Sequence, residues 1–123
     1  GDNVSEFFFG EDKPVFILIA YNLEKSSRKN QDRINRLANW AISKNYPFIC
    51  LTATVFEKCD QFREETAAPY EFFHSDETAL KTVIRSNPGL IVLKKGTIIA
   101  KYHFNDIPSP ERFERKFSEI MVK

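Results

Sequence analysis

The sequence predicts an α/β protein built on a central mixed sheet of about five strands flanked by helices, and three features of the chain lead there. Two continuous apolar runs, Val15-Phe16-Ile17-Leu18-Ile19-Ala20-Tyr21 and Pro47-Phe48-Ile49-Cys50-Leu51-Thr52-Ala53, have the length and composition of strands buried on both faces. A helical periodicity lies between them, and a strand, helix, strand series with short links implies a right-handed parallel crossover. Farther on, residues 89–93 and 97–103 flank Lys94-Lys95-Gly96, a connection of hairpin length with a glycine for the left-handed position, so an antiparallel pair joins the parallel one.

Taken in order, the first run is the central strand. A polar bend over residues 22–27 follows it, and then Ile34, Leu37, Ala38 and Ala41 recur at helical spacing while Arg28, Lys29, Asp32, Arg33 and Arg36 face away. Ser26 or Ser27 is the expected N-cap of that helix. After the second strand, Thr54-Val55-Phe56-Glu57 has the form of a capping box and opens a helix to about Thr66, burying Val55, Cys59 and Phe62 and stopping before Pro69. Residues 70–74 read as a short strand. Ser75-Asp76-Glu77 caps a helix whose Leu80, Val83 and Ile84 face the core and which ends before Pro88. Beyond the hairpin, Ser109-Pro110-Glu111 supplies a cap, a first-turn proline and a first-turn acid for a closing helix with Phe113, Phe117 and Ile120 on its apolar stripe.

The chain has 123 residues, 42% of them hydrophobic and 14% aromatic, which suits one core and is too short for two, so residues 1–123 are expected to form a single domain. With 18 basic against 17 acidic residues, no global field draws it to nucleic acid or to an anionic membrane. The longest apolar run is a strand's length, far short of the roughly 20 residues of a membrane span. The chain begins with Gly1 and a polar stretch, so an excised or processed piece is expected, with residues 1–12 an N-terminal extension and Phe7-Phe8-Phe9 packing on the domain. Cys50 and Cys59, the only cysteines, have eight residues between them, which fits neither a redox Cys-x-x-Cys pair nor a zinc knuckle; two reduced core thiols are the expectation.

The element order, together with Arg85-Ser86-Asn87-Pro88-Gly89-Leu90-Ile91-Val92-Leu93-Lys94-Lys95-Gly96, resembles the thioredoxin fold, in the branch of peroxiredoxins and TlpA-type thiol reductases that carries an extra helix and strand, here residues 54–74. The resemblance implies that Pro88 is the cis-proline before an apolar strand. It places the redox pair just after the first long strand, where this chain has Glu24-Lys25-Ser26-Ser27. Serine forms no disulfide and an unassisted serine is negligibly ionised at neutral pH, so the implied activity is lost. A non-catalytic binding domain is expected, its groove formed by Asn22, Glu24, Lys25, Ser26 and Ser27 on one side and Asn87 with Pro88 on the other, with Asn87 presenting its carboxamide to a protein or peptide partner. The alternative is a thiol-dependent oxidoreductase or relay component using Cys50, Cys59 or a partner's thiol. Residues 16–22, 76–81 and 85–102 also resemble the soluble C-terminal domain of bacterial DoxX-family membrane proteins, which implies a membrane-tethered parent; a periplasmic rather than cytoplasmic location is the expectation.

No cofactor or metal is expected. His74, Asp76 and His103 could suggest a metal site, but His74 and His103 would end the two edge strands, about four spacings of 4.8 Å or roughly 19 Å apart. Histidine–metal bonds of about 2.1 Å cannot bridge that. Arg28, Lys29, Arg33 and Arg36 make a basic helix face, but Asp32 interrupts it and no aromatic platform is interleaved, so a solvated face is expected.

Overall fold

The computed structural model describes the backbone of residues 13–122 and the side chains of residues 13–118. The expectations for residues 1–12, with Phe7-Phe8-Phe9, and for the Ile120 side chain lie outside the described residues.

Five strands form one sheet: β1 (Val15–Ile19), β2 (Phe48–Thr52), β3 (Glu71–His74), β4 (Gly89–Lys94) and β5 (Thr97–His103). Their order is β3-β2-β1-β4-β5. β1 pairs parallel with β2, Leu18 opposite Cys50, and antiparallel with β4, Ile17 opposite Ile91. β3 joins β2 in parallel with His74 beside Thr52, and β5 joins β4 antiparallel with His103 beside Gly89. The mixed sheet flanked by helices is the architecture the sequence predicts.

The centre of the sheet falls where the apolar run is longest. Every residue of β1 is buried, and alternation divides them between two cores. Phe16 and Leu18 join Phe48, Cys50, Leu90 and Val92 in one core. It is closed by helices α1 (Gln31–Ser43), α2 (Phe56–Thr66) and α4 (Pro110–Val122), through Ile34, Leu37, Ala38 and Ala41, through Cys59 and Phe62, and through Phe113. The Phe16 ring stacks on Phe48 at 5.6 Å and meets Phe113 at 4.9 Å, which ties the sheet to the last helix. Val15, Ile17 and Ile19 face the other way with Ile49, Ile91 and Leu93, where Leu80 of α3 (Glu77–Val83) packs, with Val83 and Ile84 at its margin.

Two helix starts follow the expected chemistry. Asp76 accepts from Ala79 N–H at 3.1 Å to open α3, and Ser109 Oγ accepts from Arg112 N–H at 3.1 Å to open α4, with Pro110 in the first turn. Two do not. α1 begins at Gln31 rather than after Ser26 or Ser27, because the Ser26 hydroxyl donates to Leu23 O and Ser27 Oγ accepts from Lys29 N–H, so each closes a turn. Arg28 and Lys29 therefore precede the helix. The expected capping box of α2 is also absent: Thr54 Oγ1 accepts from Leu23 N–H at 2.9 Å. Val55 is left as the N-cap, in extended backbone and 57% exposed rather than buried.

Between β4 and β5 the chain reverses through Lys95 and Gly96, with φ of 51° and 80°. Positive φ at both residues matches the right-handed twist of a hairpin. Farther along, β5 carries a bulge: Val92 faces Ala100 while Leu93 faces Ile98, leaving Ile99 as the extra residue.

Candidate functional site

The carboxyl ends of β1, β2 and β3 and the start of β4 meet at one end of the sheet, the end at which open α/β sheets take ligands. The loop after β1 is built from within outward. Leu23 is 3% exposed and anchors it, its N–H held by Thr54 and its carbonyl accepting the Ser26 hydroxyl. Asn22 Oδ1 accepts from Lys25 N–H at 3.2 Å, and the Asn22 carbonyl accepts from Asn87 Nδ2 at 2.9 Å. Ser27 N–H donates to the Asn87 carbonyl at 2.9 Å. Asn30 Nδ2 then donates to Phe104 O at 2.9 Å, so the loop is fastened to the lead-ins or exits of β2, β4 and β5.

The expected groove residues are thus brought together. Glu24 and Lys25 are exposed, Asn22, Ser26, Ser27 and Asn87 are half-buried, and Pro88 is buried behind a cis Asn87–Pro88 peptide bond. Asn87 departs from expectation. Its carboxamide turns inward to Asn22 instead of outward to a ligand, and its Oδ1 is buried without a hydrogen-bond partner. The backbone carbonyl before the proline is taken by Ser27. Asn87 therefore holds the loop rather than presenting itself.

One depression lies beside the loop and another at the ends of β2 and β3. The first, of about 240 Å³, runs between Leu23, Glu24 and Arg28 and the face of α2 carrying Lys58, Gln61 and Glu65. Arg28 spans it, 2.9 Å from Glu65 and 5.0 Å from the Phe62 ring centroid. Hydrogen bonds from Gln61 and then from Arg28 hold the Glu65 carboxyl below its usual range. The other, of about 370 Å³, is apolar and lined by Phe56, Cys59, Phe72 and Phe73 with Thr52, Thr54 and His74. Phe56, 74% exposed, stands at its rim beside Val55. Helical periodicity could not place Val55, because the N-cap residue lies outside the helix and its side chain obeys no helical phase.

The thiols lie inside. Cys50 has no exposed surface and Cys59 is 4% exposed; both are free. Burial pushes each thiol up, and the charge of Cys59 adds to the effect at Cys50, as that of Asp60 does at Cys59. Neither is a thiolate at neutral pH.

The histidines sit on the two edge strands, as the geometry required. His74 Nε2 donates to Ala53 O at 3.2 Å, and His103 Nδ1 accepts from Asn105 N–H at 3.0 Å. Each serves its own strand end. Among the described residues, no group of three or more His, Cys, Asp or Glu side chains is placed to hold a metal ion.

No protein-family model and no curated protein matches the chain. Solved structures do. The thioredoxin domain of a thiol-disulfide oxidoreductase from Bacteroides vulgatus superposes with a TM-score of 0.67 at 18% identity, over 91% of this chain and 82% of that one. A thiol:disulfide interchange protein from Bacteroides sp. gives 0.64 at 15%, over 91% and 74%. An uncharacterized conserved protein from Geobacillus kaustophilus gives 0.56 at 15%, over 73% of this chain; the chain spans about half that protein's length, 53%. The fold is thioredoxin-like, and its structural neighbours include thiol-disulfide oxidoreductases.

Proposed function

We propose that this thioredoxin-like domain binds a protein or peptide partner instead of exchanging disulfides, through the face at the carboxyl ends of β1, β2 and β3. One observation carries the reading: the position after β1 presents Glu24, Lys25, Ser26 and Ser27, while the two thiols are buried in the core. A serine without an adjacent base is neither nucleophile nor redox centre. What the face offers is recognition. Glu24 and Lys25 supply exposed charge, the loop backbone is held in place by Thr54 and Asn87, and Val55 and Phe56 supply exposed apolar surface of the kind that marks interaction sites. The resemblance to the soluble domain of DoxX-family proteins supports a membrane-tethered parent, with tethering by a separate segment; among the described residues, no helix is long and apolar enough to cross a membrane.

The test is the affinity of candidate partner peptides for the wild type and for Lys25→Ala, Asn87→Ala and Phe56→Ala. Loss of at least tenfold in one or more supports the reading, on the scale of a central interface residue costing about 1.4 kcal/mol or more. Unchanged affinity in all of them overturns it. A second reading, thiol-dependent chemistry, rests on Cys59 lining the apolar groove. Native-state alkylation separates the two: thiols that label only on unfolding leave binding standing, and rapid labelling of Cys59 at neutral pH favours the thiol.

A further inference from the structure

The basic face of α1 is exposed, and part of it lines a cleft. Packing of α1 against α4 brings Arg33 and Arg36 together with Arg112, and the three line a cleft of about 250 Å³ with Ile107, Pro108 and Ser109. Arg33 and Arg36 are three apart on one helix, where like charges repel. Arg36 has a partner: its Nη2 lies 3.1 Å from Glu111 Oε1, in a pair exposed by about two-thirds on each side, 65% and 66%. The Glu111 carboxyl is held below its usual range, first by its own backbone N–H and further by Arg36. Among the described residues, neither Arg33 nor Arg112 has a carboxylate within ion-pair distance. Two uncompensated guanidiniums therefore share one concavity, and the 13-residue helix α4 adds its positive end.

The floor of the cleft is stiff. Ile107 and Pro108 are buried, and prolines on both sides of Ser109 fix the backbone there. Ser109 Oγ accepts from Arg112 N–H and its hydroxyl hydrogen-bonds the Glu111 carboxyl, so the serine is held in place and the two guanidiniums are the donors that face the cleft.

We infer that this cleft binds the phosphate group of an anionic ligand, gripped by Arg33 and Arg112, while Ile107 and Pro108 receive the ligand's carbon portion. A phosphate fits better than a single carboxylate. It carries the double charge that two unpaired guanidiniums call for, and its oxygens can meet two planar donor forks at once. Free phosphate, a soluble phosphomonoester and a phosphatidic acid headgroup all present this chemistry.

The test titrates the intact chain with inorganic phosphate and with glycerol 3-phosphate by calorimetry, and co-sediments it with phosphatidic acid vesicles against phosphatidylcholine vesicles. Saturable binding of either soluble probe places the ligand in solution; binding to phosphatidic acid vesicles alone places it in a lipid headgroup. In both cases Arg33→Gln and Arg112→Gln should each weaken binding by about tenfold, the scale of a lost charge-assisted hydrogen bond. Arg63→Gln, which removes a guanidinium facing Asp60 on α2 at 3.8 Å, should change nothing. These arginines are exposed, so circular dichroism of the variants should match the wild type. Absence of saturable binding in every arm, or an equal loss in Arg63→Gln, overturns the inference.

Discussion

Cys50, Cys59, Tyr70 and Tyr102 share one condition: burial raises the pKa of each above its ordinary value. The folded protein thus keeps protons that the unfolded chain gives up in alkaline solution. The unfolded state binds fewer protons there, so stability is complete below the ordinary thiol value of 9.0 and declines as pH rises past it. The slope is about 1.4 kcal/mol per pH unit for each fully linked proton. Urea unfolding at pH 8, 9 and 10 should show a falling midpoint, and Cys50→Ala should make the fall shallower even though its own midpoint is lower; a midpoint flat across this range would contradict the buried-acid account. Burial of these thiols was legible in the sequence, from one cysteine inside an apolar run and the other on an apolar stripe. The partner of Thr54 was not. Leu23 lies 31 residues earlier, and only the folded sheet brings it near. The inward turn of Asn87 escaped for the same reason, since Asn22 is 65 residues away.

Helix ends show how far local chemistry carries. Asp76 and Ser109 cap as expected because nothing distant competes for their oxygens, whereas Thr54 and Ser26 face other backbone groups first. At the far end of α2, Ala67 adopts a left-handed φ of 57° to terminate the helix, a conformation that crowds Cβ and that glycine occupies without strain. Ala67 is exposed, so replacing it disturbs no packing. Ala67→Gly should stabilise the protein by about 0.5–1 kcal/mol, the relief at φ exceeding the added freedom of the unfolded chain. Thermal unfolding should register a rise of several degrees; a fall would show that the unfolded-chain term dominates. The basic stripe of α1 tells the opposite story. It was correctly seen as a charged face, but its convergence with Arg112 depends on a packing partner more than seventy residues on, as the Arg36–Glu111 separation of 75 shows.

At the scale of the molecule, strand order follows from rules the sequence obeys openly. The longest buried run takes the centre, crossovers pair in parallel, and the hairpin adds the antiparallel strand. The exposed apolar surface at the start of α2 is less open, because Val55 continues the apolar stripe of Cys59 and Phe62 until the N-cap geometry sets it outward. The two outer strands have a further consequence. β3 has only four residues, with Glu71 and His74 exposed, while β5 is bent by its bulge and Lys101 reaches across to Val83 O at 3.3 Å. A short charged margin on one flank and a twisted one on the other make poor templates for strand-by-strand growth. Deleting Ile99 would straighten β5, and light scattering should then report concentration-dependent association that the parent protein lacks at the same concentration. The bulge thereby makes the β5 side of the sheet a poor place for a further strand to add.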